Sequence, residues 1–482
     1  MSKFNWIKTR KTTNLSGHEA YKMKNKDKLV IQVLTSLFNE DKFYGDNSEA
    51  LLENMREVIK EDAKFAANLC IYARKEMHLR TISHVLIGEL ANSQDGKPYV
   101  REVINKGIER VDDMTEILAY YINKYGKPIP NSMKKGISDK LLTFNEYQLA
   151  KYNRNNQVKL KDLLCLVHPR AKDEKQNDMF KRLLGDRLET PITWETQLST
   201  KGNTKEVWEE LIENKSLGYM AMLRNLRNII KVDVCNINKV YEFLSDKHNI
   251  ERNKLLPFRY YSAYKTLIKA GIGTSKIYDV LETAIRYSAA NIDRLPGKTF
   301  ISADVSGSMN AAISKKSDVS CAEIAVLMMA LANYICQETI TTTFDTNIYM
   351  SNLSTSSGII ANANSINING GGTDISQPIR YLLHNKIFVD RIIILSDNEI
   401  NRGYDSVCQK YVNQYRKKIN PNIWVHAIDM QGYGTQQFSE SRVNIIAGWS
   451  EKTLDFINKA EQGAHSLISK IENYYFKDRL SC

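Results

Sequence analysis

The stretch Thr299-Phe300-Ile301-Ser302-Ala303-Asp304-Val305-Ser306-Gly307-Ser308-Met309-Asn310 decides the fold. Residues 299–303 read as an apolar strand, and a carboxylate and two hydroxyls follow it on a short turn. Alternating side chains on a tight turn can converge on one small cation. Asp304, Ser306 and Ser308 supply hard oxygen donors, the type that Mg²⁺ prefers. Gly307 lets the turn fold sharply and leaves the backbone accessible.

Two later segments extend the pattern, Gly370-Gly371-Gly372-Thr373-Asp374 and Ile392-Ile393-Ile394-Leu395-Ser396-Asp397. Taken singly, Asp304 could cap a helix beginning near Ala311 and Asp397 could open a turn. Together they sit in a glycine loop or at the carboxyl ends of apolar runs, where open α/β sheets place their ligands. The surrounding sequence alternates between helix and strand. Residues 320–336 are long, apolar and rich in Ala, Leu and Met, and predict a buried helix. Residues 338–344 are rich in β-branched side chains and predict a strand, as do the short runs 391–395, 423–428 and 443–447. A helix is expected over 379–384 and a closing helix over 464–476. Such alternation implies a mostly parallel sheet covered on both faces.

The three segments resemble the metal-ion-dependent adhesion site of von Willebrand factor A domains. In that family a threonine from a mid-domain loop and an aspartate after a later strand complete the ligand set. The resemblance implies Thr373 and Asp397 in those roles beside Asp304, Ser306 and Ser308, around a divalent metal such as Mg²⁺. It also implies an open coordination position for a partner's carboxylate, next to which Glu399 falls in sequence.

The chain has 482 residues and a formal charge of +12, too long for one core. Residues 297–482 carry 17 basic and 17 acidic groups, so the whole excess of +12 lies in the first 296 residues. A basic part joined to a neutral one suggests that the first binds a polyanion. The seven cysteines are scattered, with no C-x-x-C pair, which argues against a disulfide framework or a zinc site and fits a reducing, cytoplasmic setting. Nothing at the amino terminus resembles a signal peptide, and no apolar run is long enough to span a membrane.

Residues 30–292 read as helix after helix, with pairs spaced by roughly forty residues as in HEAT-like arrays. Helices are expected at 49–60, 62–76, 81–91, 114–124, 132–151, 161–167, 177–184, 205–214, 218–230, 237–246, 257–270 and 275–289. Stacked pairs form extended surfaces suited to elongated partners. Basic and aromatic residues interleave in three places: from Phe144 through Tyr147, Lys151, Tyr152 and Arg154 to Lys159, Lys161, His168 and Arg170; around Arg224 and Arg227; and in Tyr72-Ala73-Arg74-Lys75 with Arg80. Arg and Lys neutralise phosphates, and Tyr, His and Arg stack on unpaired bases.

A helical basic region followed by an A domain resembles the Ro autoantigen family, whose helical module is called TROVE. The resemblance rests on Asn14-Leu15-Ser16-Gly17, Phe43-Tyr44, Tyr72-Ala73-Arg74-Lys75-Glu76-Met77, Pro130-Asn131-Ser132-Met133-Lys134-Lys135-Gly136, Tyr147-Gln148-Leu149-Ala150-Lys151-Tyr152, Lys161-Asp162-Leu163-Leu164, His168-Pro169 and Leu223-Arg224-Asn225-Leu226. It implies a TROVE module over 1–295, folded as a ring of HEAT-like helices, and a Rossmann-like A domain over 296–482. It implies a monomeric ribonucleoprotein component that binds small structured noncoding (Y-like) RNA on the outer surface. It also implies that single-stranded 3′ ends of misfolded RNA enter a central hole, in RNA quality control. Lys151, His168 and Arg154 match basic positions of the family's outer surface. Lys134, Lys135, Arg170, Arg224 and Arg227 join them on charge and context. A protein such as an exoribonuclease would meet the metal site.

Two other classes compete. An Mg²⁺-dependent phosphatase or nuclease would need a second catalytic carboxylate or a general acid–base pair, and the glycine loop lacks the spacing of a nucleotide-binding loop. No enzyme activity is expected. A helical scaffold whose A domain binds only proteins, with no RNA role, is the alternative. The charge asymmetry argues against it.

Overall fold

The computed structural model describes residues 11–13, 19–22, 24–34, 49–153, 157–253, 255, 257–289, 294–312, 319–397, 407–430, 435–438, 442–447, 454, 457, 461 and 467–476. Arg154, Glu399 and the segments 14–17 and 43–44 lie outside the described residues. The chain divides into two compact units, one made of Asn25–Ile192 with Leu467–Cys482, the other of Met1–Lys24 with Thr193–Ser466.

The first unit is helical: α1 (Asn25–Leu34), α2 (Glu49–Lys75), α3 (Thr81–Asn92), α4 (Lys97–Gly107), α5 (Val111–Tyr125), α6 (Asn131–Leu141), α7 (Glu146–Tyr152), α8 (Leu160–Val167) and α9 (Glu174–Leu184). Packing runs α2–α4–α6–α8 along one layer and α3–α5–α7–α9 along the other. That is a stack of helical pairs, each burying its apolar stripe against the next. The pairs begin at Glu49, Lys97, Asn131 and Leu160, closer together than the forty-residue spacing expected beyond the first, because α4 and α6 are 11 residues long and α7 only 7.

Two boundaries differ from the periodicity, each at a side-chain cap. The expected helices 49–60 and 62–76 run on as α2, interrupted at Asp62, which leaves helical geometry and accepts from Phe65 N–H at 2.9 Å, capping the second half. The expected single helix over 132–151 is two. Asn145 starts α7 by accepting from Gln148 N–H at 2.9 Å while Gln148 Oε1 accepts from Asn145 N–H at 3.0 Å, a reciprocal cap that ends any continuous run.

A buried ion network joins the first pairs. Arg80 donates to Asp113 Oδ1 at 2.6 Å and lies 2.9 Å from both Asp112 and Glu116. Arg74 is 3.2 Å from Asp113 and from Glu109, and His84 Nε2 is 3.2 Å from Asp113. Burial alone would raise the Asp113 carboxyl, but His84, Arg74 and Arg80 hold it far below the ordinary carboxylate range.

The final helix, α21 (Leu467–Glu472), contacts α1 and α2. Residues 464–476 were expected to close the α/β domain. The described part packs on the first helical unit instead, because its aromatic residues find ring partners on α2 and α4.

The second unit holds α10 (Trp194–Lys201), α11 (Lys205–Glu213), α12 (Tyr219–Lys231), α13 (Ile237–Ser245), α14 (Lys247–Asn253), α15 (Pro257–Ala270) and α16 (Ser275–Ala289), and a six-stranded sheet. Strands β3 (Leu295–Asp304), β4 (Cys336–Phe344), β5 (Ile348–Ser351), β6 (Arg391–Ser396), β7 (Trp424–Asp429) and β9 (Val443–Ala447) lie in the order β5-β4-β3-β6-β7-β9. All neighbours are parallel except β5, which pairs antiparallel with β4. Phe300, Ile392, Ile394 and Val425 share a core with Ile379 and Leu382 of α19 (Gln377–His384) and Val412 of α20 (Val407–Lys418). The alternate residues Ile301 and Ile393 point to the other face, where α17 (Cys321–Ile335) packs on β3 and β4. A second sheet was not anticipated. In it β1 (Lys11–Thr13) and β2 (Glu19–Lys22) form an antiparallel pair extended by β8 (Thr435–Gln436), three strands too short to show a period of two.

Helices α15 and α16 are tied to the α/β domain by specific bonds. Glu282 accepts the N–H groups of Ile359 and Ile360 at 2.5 and 2.9 Å, capping α18 (Ile359–Asn364), and Lys265 pairs with Glu323 at 2.6 Å. No described helix is long and apolar enough to cross a membrane.

Candidate metal centre and basic surfaces

Asp304 ends β3, the strand flanked by β4 and β6, at the carboxyl edge of the sheet. Its Oδ1 accepts Ser306 N–H at 2.9 Å and its Oδ2 accepts the Ser396 hydroxyl at 2.6 Å. The Ser306 and Ser308 hydroxyl oxygens lie 3.3 Å apart. The glycine loop is stitched onto this turn by Gly307 N–H to Gly371 C=O at 2.8 Å and Gly370 N–H to Val305 C=O at 2.9 Å. Gly370 adopts φ +77°, and a Cβ on Gly307 would lie 3.2 Å from the Gly370 carbonyl, so both positions suit glycine. The loop delivers Thr373, which is fully buried, and Asp397 follows β6, also fully buried. Ser308 is exposed, so the cluster opens to solvent on that side.

The structure therefore brings Asp304, Ser306 and Ser308 together on one turn, laces to it the loop that carries Thr373, and sets Asp397 beside them at the end of the adjacent strand. Burial and then the neighbouring Asp397 charge push the Asp304 carboxyl up to about 7. Two buried carboxylates set side by side, one of them pushed up by the other's charge, are the electrostatic condition a dication relieves. Among the described residues no group of three or more His, Cys, Asp or Glu side chains is arranged to hold a metal; the candidate donors here are two carboxylates and three hydroxyls. That set fits a hard divalent cation rather than zinc.

On the first helical unit, Lys151 in the last turn of α7 lies 5.9 Å from the ring centroids of both Tyr147 and Tyr152. Arg110 stands 4.6 Å from the Tyr152 ring, and Tyr147 is 51% exposed. The result is an alternating basic and aromatic array on the surface. Lys75, Lys106 and Lys140 lie at the carboxyl ends of α2, α4 and α6. The Lys140 ammonium is lowered by burial and then by the charges of Lys75 and Lys106, which places the three near one another. Lys134 and Lys135 lie on α6 toward its other end. His168 and Arg170 are exposed in the α8–α9 connection, and His168 holds a left-handed backbone, φ 44°, at the end of α8. In the second unit, Arg224 and Arg227 are exposed one turn apart on α12.

The TROVE domain family matches residues 19–187 and 184–276, and the Ro60 vWA domain family matches residues 298–459. The chain belongs to the TROVE family. Telomerase protein component 1 is 24% identical over 292 residues in Rattus norvegicus and 23% over 310 in Mus musculus, covering 43% and 46% of this chain. RNA-binding protein RO60 of Caenorhabditis elegans is 26% identical over 219 residues, 42% of this chain. The matches span 11%, 12% and 33% of those relatives' own lengths. The Deinococcus radiodurans RO (RSR) protein shares the fold with a TM-score of 0.61 at 18% identity, over 85% of this chain and 93% of that one.

Within this TROVE chain the Tyr72–Arg74–Lys75–Arg80 cluster is not an open basic surface, as its composition suggested. Arg74 is 6% exposed in the Asp113 network, Lys75 pairs with Glu109 at 2.9 Å, and Tyr72 is buried against Tyr474. Lys161 is likewise paired with Asp186 at 2.6 Å. Sequence reasoning also missed Lys106 and Lys140, in the last turns of α4 and α6, and Arg110 just before α5, whose proximity is visible only once the helical pairs are stacked. At the metal centre it missed Ser396, whose position one residue before Asp397 on a strand was a usable signal. It missed Asp429 too, buried at the end of β7 and paired in register with Ser396.

Proposed function

We propose that this protein is an RNA-binding component of a Ro-type ribonucleoprotein, in which exposed basic and aromatic residues of the helical region hold small structured Y-like RNA and single-stranded 3′ ends of misfolded RNA. The observation that carries this reading is the Arg110–Tyr152–Lys151–Tyr147 array on a chain whose charge excess is confined to its helical part. Lys151 neutralises phosphate there, Arg110 being bonded to Asp112 at 2.7 and 3.0 Å and stacked on Tyr152, and the exposed Tyr147 offers a stacking face to an unpaired base. Changing Lys151 and His168 together to alanine is expected to weaken a structured RNA more than a single-stranded tail, read by fluorescence anisotropy with each RNA. Unchanged affinity for the structured RNA would remove both residues from the site. None of the six described cysteines is in a disulfide, in keeping with a cytoplasmic setting.

The A domain, in this reading, holds Mg²⁺ through Asp304, Ser306, Ser308, Thr373 and Asp397. The metal supplies a Lewis-acidic point for a protein carboxylate, such as that of an exoribonuclease, while these side chains hold the turn and the glycine loop together. Saturating Mg²⁺ is expected to raise the melting temperature of the unmodified chain by about 5 °C, as a ligand in ~100-fold excess over its dissociation constant does. Asp397→Asn should abolish that rise while leaving RNA affinity intact. A shift of equal size in the variant would exclude the assignment.

A further inference from the structure

Residues 467–476 lie on α1, α2 and α4 as a peptide lies on a receptor. Asn68 of α2 is fully buried and reads their backbone: its Oδ1 accepts Phe476 N–H at 2.8 Å and Tyr475 N–H at 3.2 Å, and its Nδ2 donates to the Glu472 carbonyl at 2.7 Å and the Phe476 carbonyl at 3.4 Å. Side chains are read separately. Tyr474 meets Tyr72 edge-on at 5.2 Å and donates to Glu76 at 2.8 Å. Phe476 meets Tyr99 edge-on at 5.2 Å. Tyr475 donates to Glu102 at 2.5 Å, with the Lys106 ammonium 5.3 Å from its ring. Glu472 accepts from Lys26 of α1 at 2.9 Å.

The receptor side is laid out by helical periodicity. Asn68, Tyr72 and Glu76 recur every four residues along α2 and just past its end, and Tyr99, Glu102 and Lys106 recur at three and four along α4, so each set forms one face. On the ligand side, residues 473–476 are not helical, and the main-chain N–H groups of Tyr475 and Phe476 and the Phe476 carbonyl are taken up by Asn68 instead. The order of this stretch is therefore supplied by the groove, as in a segment that folds on binding. A buried amide dedicated to main-chain groups, with side-chain pockets beside it, is the division of labour by which peptide-binding sites separate affinity from specificity.

We propose that α1, α2 and α4 form a peptide-binding groove for an aromatic Tyr-Tyr-Phe segment, and that residues 467–476 of this chain are its resident, exchangeable ligand. The test uses the full chain with a protease recognition sequence inserted after Gly463, cut in the folded state. A fluorescent peptide of residues 465–482 is then added in excess and followed by anisotropy, with helical circular dichroism recorded before and after cutting. Exchange should be saturable and the dichroism unchanged. Peptides carrying Tyr474→Ala or Phe476→Ala should bind at least tenfold more weakly, and these changes leave the protein itself untouched. Asn68→Ala in the protein should weaken every peptide alike, because it removes only backbone recognition. Loss of helicity on cutting, no exchange, or equal affinity of the alanine peptides would each overturn the proposal and make the segment an integral part of the helical core.

Discussion

An Asp113→Asn chain is expected to lose about 3 kcal/mol of stability in its first helical unit. Asp113 is the point where Arg74, Arg80 and His84 meet. Removing one charge from a buried pair leaves its partners uncompensated, a loss of about 3–5 kcal/mol in general. The low end applies because Asp112 and Glu116 still face Arg80. Amide exchange of α3 and α5 reads the loss locally and should speed up by roughly 100-fold. The sign with pH follows from the depressed carboxyl. Asp113 is held below its unfolded value, so its contribution is complete above about pH 4 and drains away as pH falls toward its folded value. The asparagine variant should show a shallower acid limb than the unmodified chain. Equal acid limbs would mean the network carries no net stabilisation.

Raising salt from 50 to 200 mM is expected to weaken RNA binding by roughly a thousandfold. On the proposed reading Lys134, Lys135, Lys151, Arg170, Arg224 and Arg227 meet phosphates, and about six such contacts release enough counterions for a loss of that order. Removing Arg224 and Arg227 together should lower the slope of log affinity against log salt by about 1.5 to 2. Anisotropy titrations across salt, with a folded RNA bearing or lacking a 3′ tail, give both numbers. A flat salt response would sink the phosphate-based reading. A slope unaltered in the arginine variant would move the contacts to the first helical unit.

How much of this was legible in the chain differs from element to element. The α/β domain could be read almost strand by strand because its strands are buried on both faces and therefore written as continuous apolar runs. The residues 391–395 and 443–447 expected as strands became Arg391–Ser396 and Val443–Ala447. Helices 257–270 and 275–289 were found at the same limits, since Pro257 and Ser275 mark their starts. The edge strand Ile348–Ser351 was missed because four half-exposed residues show too little alternation.

Charge was the least transferable signal. Arg74 and Arg80 looked like Lys151 in sequence, all three lying in aromatic-rich basic runs. Only packing separated them, by setting Asp112, Asp113 and Glu116 from the fifth helix against the end of the second and the start of the third. Composition cannot distinguish a cation held by a carboxylate forty residues away from one facing water, because pairing depends on which helices stack.

The sequence by itself determined the local order: a strand, a metal-type turn, a glycine loop, and a basic series of helices before them. Those features depend on neighbours a few residues apart, and backbone preferences act at that range. Tertiary structure decided which charges are spent inside the protein, which hydroxyl supports Asp304, and where the last ten described residues lie. Each of these depends on groups distant in the chain, such as Asn68 and Phe476, being brought within a hydrogen bond of each other.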